Sequence, residues 1–313
     1  MSSLIEQATQ RLEQLRKAGA AMPDDLLSAT PVAPAAVLEK APSEETRQAV
    51  EIAARKAAEA PAPASRRVEL DLDALAAAGI VSPNAPRSHI ADQYRVIKRP
   101  LISNAMGRGA STIANGNLIM VTSAVSGEGK SFTAINLAMS IATELDNTVM
   151  LVDADVARPS VLRALGLPAS QGLLDVLVGD STDLSSVLLK TNIDKLTILP
   201  SGTQHARATE LLASDAMAKL LDDMASRYSD RIIIFDSPPL LLTTESRVLA
   251  THMGQIVMVV QADKTLQSEV QHALSTIEAC PVKLMVLNQA TGNAKGSYGY
   301  GYGYGYGYGQ NAA

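Results

Sequence analysis

Tryptophan is absent from this sequence, cysteine occurs once and phenylalanine twice. With eight tyrosines that makes ten aromatic side chains in 313 residues, and six of the ten crowd between Tyr298 and Tyr308. The rest of the chain must pack its interior from Leu, Ile, Val, Ala and Met, and the aromatic tail is not expected to belong to that core. The lone Cys280 excludes an intrachain disulfide, and His89, His205, His252 and His272 show no metal-ligand spacing. Apolar runs are short: stretches such as Ile256 to Val260 fall far below the ~20 residues that cross a bilayer, so no membrane span is expected. The N-terminus, MSSLIEQATQRLEQLRK, carries Glu6 and Glu13 and lacks the apolar stretch and cleavage site of a secretory signal. These absences together point to the reducing cytoplasm. A net charge of -5 removes any global argument for nucleic acid as a partner, because a duplex binder presents a basic face.

Residues 3 to 18 read as an amphipathic helix, with Ser3 and Glu6 as a capping box and Ile5, Ala8, Leu12 and Leu15 on one face. That face pairs either with its own domain or with another chain or a membrane protein. From about residue 20 to 64 the chain is rich in Ala and Pro, which reads as a linker holding at most one helix, near 43 to 59. The expected organisation is therefore an N-terminal helix and linker over 1–87, a catalytic domain over 88–292 and a tail over 293–313. A helix is predicted from His89 to Lys98, with Pro100 interrupting it or starting the next turn. Strands are predicted at 118–122, 148–152, 196–199, 232–235, 256–260 and 283–287, separated by helical stretches. Several are apolar on both faces, as buried parallel strands are, so the expected fold is a doubly wound, mainly parallel α/β sheet.

The segment SAVSGEGKS, Ser123 to Ser131, lies directly after the first predicted strand and before the helical run FTAINLAMSIA. This is a Walker A loop in the right context. Its glycines let backbone N–H groups turn inward around phosphate oxygens, Lys130 reaches the terminal phosphates, and the Ser131 hydroxyl is placed to ligate Mg²⁺. Ser126, Gly127, Glu128, Gly129, Lys130, Ser131 and Phe132 are thus the predicted phosphate-binding residues. The leading glycine of the motif is replaced by Ala124, which a negative φ would tolerate. Two other strands end in carboxylates: VMLVDADVARP carries Asp153 and Asp155, and RIIIFDSPP carries Asp236. Buried strands do not end in charge without a partner, and three such ends at one rim of a parallel sheet point to a metal and phosphoryl-transfer site.

With these residues in place the sequence resembles the bacterial tyrosine kinases of exopolysaccharide synthesis, a family of P-loop fold. The resemblance covers about 88 to 308 and rests on the Walker A loop, the DADVARP segment, the strand ending in DSPP, and a C-terminal tyrosine cluster. It is nearest to the branch, exosortase-linked kinases included, in which the kinase is separate from its membrane-bound chain-length determinant. The resemblance implies ATP and Mg²⁺ as cofactors, Lys130, Asp153, Asp155 and Asp236 as the catalytic set, and Ser131, Asp155 and Asp236 around the metal. Asp153 and Asp155 remain interchangeable as the base. Arg158 matches the second arginine of the family's DxDxRRP phrase, while Ala157 replaces the first. Asn288 sits where relatives contact adenine, or it caps a turn. The family's ring-forming ExxRxxR helix corresponds to Asp92, Arg95 and Lys98, on a face that reads equally as a solvated one. By the same resemblance the activator is the chain-length determinant, which recruits the kinase to the inner face of the inner membrane.

The tail SYGYGYGYGYGYG offers Tyr298, Tyr300, Tyr302, Tyr304, Tyr306 and Tyr308 as phosphoacceptors. Alternating glycine gives such a segment no apolar surface to bury, so it is expected to be flexible and able to reach an active site. Two rival readings share the phosphate site: a ParA/MinD-like positioning ATPase and a nucleotide-gated scaffold for polysaccharide export. The first carries an extra lysine where this sequence has Val125.

Overall fold

The computed structural model describes residues 66–83, 88–109, 111–179, 183–227 and 230–290. The helices expected over 3 to 18 and near 43 to 59, and the tyrosine tail, lie outside the described residues. Eight strands among them form one sheet: β1 (Arg66–Arg67), β2 (Leu118–Ser123), β3 (Thr148–Asp153), β4 (Leu189–Lys190), β5 (Leu196–Leu199), β6 (Arg231–Asp236), β7 (Gln255–Gln261) and β8 (Val282–Asn288). Their order is β1-β4-β5-β3-β6-β2-β7-β8, and every neighbouring pair is parallel except β4 with β5. The predicted doubly wound sheet is present, and its six main strands fall where β-branched runs placed them.

Alternation along the strands divides the interior in two. Leu118 and Met120 of β2 point to one core, Ile119 and Val121 to the other. The first core is closed by α5 (Leu173–Val178), α6 (Leu184–Val187), α7 (Ala208–Leu212), α8 (Asp215–Arg227), α9 (Glu245–Ala250) and α10 (Gln267–Ser275). The second is closed by α1 (Leu72–Ala77), α2 (His89–Ala105), α3 (Lys130–Ala142) and α4 (Val161–Ala164). Phe235 and Tyr94 are the only aromatic side chains among the buried described residues, so aliphatic and methionine packing fills the rest.

Three features differ from the sequence reading. Residues 66 to 83, placed ahead of the 88–292 catalytic domain, pack as part of it. β1 extends the sheet, Leu70, Leu75, Ile80 and Val81 are buried, Asn192 bonds both the N–H and the C=O of Leu70, and Asn136 accepts from the N–H of Val81. Their partners are distant in sequence, which local composition does not register. Second, α2 continues through Pro100 to Ala105. Proline removes one helical hydrogen bond, but Pro100 and Val96, whose carbonyl loses its donor, are both exposed, so water replaces that bond.

The third difference is Lys98, predicted on the subunit-contact face with Asp92 and Arg95. Its side chain is 2% exposed and turns inward, where Nζ lies 2.7 Å from Glu144 Oε1 and donates to Ser140 O at 2.5 Å. Asp92 and Arg95 pair with each other on the exposed face. Lys98 therefore pins α2 to the C-terminal end of α3, where a cation also suits the helix dipole. Lys98→Met keeps most of the packing but removes the ion pair to Glu144 and one of the hydrogen bonds to the Ser140 carbonyl, leaving Arg99 and Thr143 Oγ1 as their remaining partners. We expect a loss of about 2 kcal/mol in urea unfolding, less than for a fully buried pair because Glu144 is partly solvated.

Candidate active site

The loop after β2 is shaped by two left-handed glycines, Gly127 at φ +89° and Gly129 at φ +93°. Ala124 is fully buried and does not adopt a positive φ, so its methyl group fits where the motif has glycine. Among the described residues the N–H groups of Ser126 to Phe132 find no protein acceptor, and the first helical bond of α3 runs from Thr133 N to Gly129 O. A row of free donors at a helix N-terminus is an anion cradle. Phe132 contributes only its backbone, since its ring packs in the second core.

The cradle is held from outside by contacts that motif reading did not find, although it had named Glu128 and Asn288 in other roles. Glu128 is 1% exposed; its carboxylate accepts from Val125 N at 2.7 Å, from Thr265 Oγ1 at 2.5 Å and from Gln261 N at 3.3 Å, tying the loop to the end of β7. From β8, Asn288 Nδ2 donates to Glu128 O at 2.8 Å, and just beyond it Gln289 Nε2 donates to Gly127 O at 3.0 Å. Asn288 thus braces the loop's backbone. A Cβ on Gly129 would lie 2.1 Å from Asn288 Nδ2, so the glycine is required for this approach as well as for its φ.

The predicted carboxylates converge beside the loop. Asp153 and Asp236 are register partners at the ends of β3 and β6. Lys130 Nζ pairs with Asp155 Oδ2 at 2.9 Å. Asp153 Oδ2 accepts from the N–H groups of Ser160 and Val161 at 3.1 and 3.0 Å, at the start of α4. Ser160 Oγ lies 2.8 Å from Ser131 Oγ and 3.5 Å from Asp236 Oδ2, a bridging position without a sequence signal. Arg158 offers its N–H to Asp155 while its side chain is exposed.

Burial pushes the Asp236 carboxyl up to about 7; the Lys130 ammonium opposes the shift and the neighbouring Asp153 adds to it. Burial likewise raises Asp153 to about 6 against the two backbone donors, with Asp155 adding repulsion. Asp153 Oδ1 and Asp236 Oδ1 are buried and have no hydrogen-bond partner. Among the described residues no three His, Cys, Asp or Glu side chains form a complete metal cage. Mg²⁺ in phosphoryl-transfer sites needs none, because it keeps waters and uses one or two carboxylates plus substrate phosphates. The orphaned Asp236 oxygen beside the Ser131 hydroxyl fits that sparse donor set.

Comparison with known proteins bears on the same residues. A family model described as AAA domain matches residues 116–288. The tyrosine-protein kinase YwqD of Bacillus subtilis is 30% identical over 222 residues, covering 70% of this chain and 90% of that protein. The chain belongs to the bacterial tyrosine-protein kinase family. Putative tyrosine-protein kinase EpsB of Ralstonia nicotianae is 31% identical over 168 residues, but the match spans only 22% of that longer protein. Among solved structures, the chimerical protein CapA2B2 superposes with a TM-score of 0.55 at 28% identity, over 71% of this kinase and 93% of that chain. The family resemblance read from the Walker loop, DADVARP and DSPP is therefore correct, and the sheet that carries those motifs is shared.

Proposed function

We propose that this kinase transfers the γ-phosphoryl group of ATP, with Mg²⁺, to the tyrosines of its own tail, Tyr298 to Tyr308. The observation that carries the proposal is the convergence of Lys130, Ser131, Asp153, Asp155 and Asp236 around a cradle of free N–H groups. The cradle and Lys130 hold the phosphates; Ser131, Asp155 and Asp236 are the groups that would hold the metal. Magnesium, when bound, neutralises charge on the transferring phosphoryl group. Asp153 is the base. Asp155 is engaged by Lys130, whereas Asp153 retains a free oxygen and a carboxyl near 6, close enough to neutrality to accept a proton from tyrosine Oη. As Oη bonds to the γ-phosphorus, the bond to the β–γ bridging oxygen breaks and ADP departs.

The tail is the acceptor in this reading because its attachment point favours it. β8 runs parallel to β7 and ends at Asn288 on the rim that carries the nucleotide loop, and the six tyrosines follow within about twenty residues, enough for roughly 25 Å of root-mean-square reach. Regulation of exopolysaccharide polymerisation and export, activation by a membrane-bound chain-length determinant, and a cytoplasmic position at the inner membrane form part of the same proposal and rest on the family resemblance. No helix among the described residues is long and apolar enough to cross a membrane. Self-association through Asp92 and Arg95 remains proposed without Lys98.

The test is incubation of the full chain with γ-labelled ATP and Mg²⁺, with and without the activator's cytosolic segment, followed by mass spectrometry. Phosphate is expected on the tail, and a chain with all six tail tyrosines changed to phenylalanine should turn over ATP without forming phosphotyrosine there. Hydrolysis with no phosphotyrosine in any condition would instead identify a positioning ATPase, and binding without turnover a scaffold.

A further inference from the structure

Asp153 also lines a cleft of about 810 Å³ that lies to one side of the phosphate loop. One wall is α4 and the chain that follows it, with Leu162, Arg163 and Leu167; the other is the loop after β5, with Gly202 and Gln204. The walls are joined through Asp175, whose Oδ2 accepts from Gly172 N at 2.7 Å and from Thr203 N at 3.0 Å, and through Leu173 N and Leu174 N, which donate to Pro200 O and Ser201 O. The approach is close enough to demand glycine. A Cβ on Gly172 would meet Pro200 O at 2.0 Å, and Gly202 holds φ +93° with Asp175 Oδ2 only 2.5 Å from its missing Cβ. The cleft is thus a preformed feature, and its volume falls in the ~300–1,000 Å³ range of ligand sites.

Its chemistry is selective. Apolar walls from Leu162 and Leu167 suit an aromatic ring, and Asp153 supplies a buried, unpartnered carboxylate oxygen where the ring's hydroxyl would arrive. Arg163 is the one cation lining the cleft; it is exposed and has no ion pair among the described residues. We propose that this cleft receives a glycine-flanked tyrosine of the Ser297 to Gly309 tail, and that Arg163 clamps a phosphotyrosine already formed two residues along, making tail phosphorylation self-reinforcing. This rests on the autokinase reading and deepens it by naming the acceptor site and its preference.

Length and periodicity both fit the occupant. In the sheet order β8 stands four strand steps from β3, about 19 Å at the usual spacing. Tyr298 lies ten residue steps beyond Asn288, so the first acceptor reaches at most roughly 35 Å from the strand end, sufficient for the cleft of its own chain. In an extended peptide, residues i and i+2 face the same way about 7 Å apart, so a strict Tyr-Gly alternation presents a second tyrosine on the same side as the first. A guanidinium recognises phosphate through charge-assisted, two-pronged hydrogen bonds. Glycine between the tyrosines leaves both walls free of competing side chains.

The test uses the full chain with its six tail tyrosines changed to phenylalanine, acting on synthetic SYGYGYG and on the same peptide carrying one phosphotyrosine at either end. The phosphopeptide with the favourable end modified should show a KM about fivefold lower, close to 1 kcal/mol. Arg163→Gln should erase that difference. Ala169→Trp, which fills the cleft from an exposed position, should raise the peptide KM about tenfold or more, with the loss falling on the peptide rather than on the KM for ATP. Unaltered peptide kinetics in Ala169→Trp would overturn the cleft assignment, and equal KM values for the peptides would overturn the clamp. Should Ala169→Trp melt early, Gln204→Trp blocks the opposite wall with the same expectation. Failure of the kinase reading itself is distinguishable: the unsubstituted chain would then label neither its tail nor either peptide.

Discussion

Lys130→Met is expected to lower tail phosphorylation by roughly a thousandfold or more, as loss of a preorganised charge at a phosphoryl-transfer site does. The loss has two sources. In the proposed mechanism Lys130 is the phosphate-directed cation of the loop; in the structure it is the counter-charge to Asp155 at 2.9 Å and the main influence holding the Asp236 carboxyl down. With methionine there, Asp236 rises further and less of it is ionised at neutral pH, so the proposed metal donor is expected to fail along with the phosphate contact. Labelled-ATP assays alongside nucleotide titration check this. Phosphotyrosine within tenfold of the unsubstituted chain would remove Lys130 from the catalytic set.

Asp236→Asn is expected to stabilise the nucleotide-free protein at pH 8 while abolishing transfer. The sign follows from linkage. The ordinary carboxyl value is 3.8, whereas Asp236 stands at about 7 and Asp153 at about 6 in the folded chain. Between those limits the folded state holds protons that the unfolded chain has released, so stability falls as pH rises from about 4 through 7 and levels off above. Asparagine occupies the space without the charge and relieves its neighbour Asp153. A gain on the order of 2 kcal/mol at pH 8, or about 4–8 °C in melting temperature, should shrink toward zero near pH 4. Melts across this range decide the matter: identical slopes in the two proteins would mean that Asp236 ionises at little expense. A site that weakens its own fold is the pattern expected where charge is held for a ligand.

The contrast between Asp236 and Ser160 indicates what could be read in advance. Asp236 ends an unbroken apolar run, Ile232 to Phe235, so its position at the rim follows from local periodicity and the parallel sheet. Ser160 follows an Arg-Pro pair with no distinguishing neighbours, and only the return of the chain to Asp153, whose carboxylate accepts from the N–H groups of Ser160 and Val161, brings its hydroxyl to Ser131 and Asp236. Lys98 teaches the reverse lesson. Its spacing from Asp92 and Arg95 matched a contact motif, yet the packing of α2 on α3 turned it inward to Glu144 and Ser140. A helical face is defined by period alone, but which part of that face is covered depends on the partner helix.

Sequence by itself determined the class of sheet, the glycine-rich loop after β2 and the placing of Asp153, Asp155 and Asp236 at one rim, because each rests on residues adjacent in the chain whose geometry strand, turn and helix propensities dictate. Tertiary structure alone decided that residues 66 to 83 belong to the domain, that Glu128 reaches Thr265 across 137 residues, that Asn288 and Gln289 brace the loop, and that Asp153 borders a glycine-walled cleft. Those contacts join segments far apart in sequence, and their formation depends on how the whole sheet closes over its two cores, which no local pattern encodes.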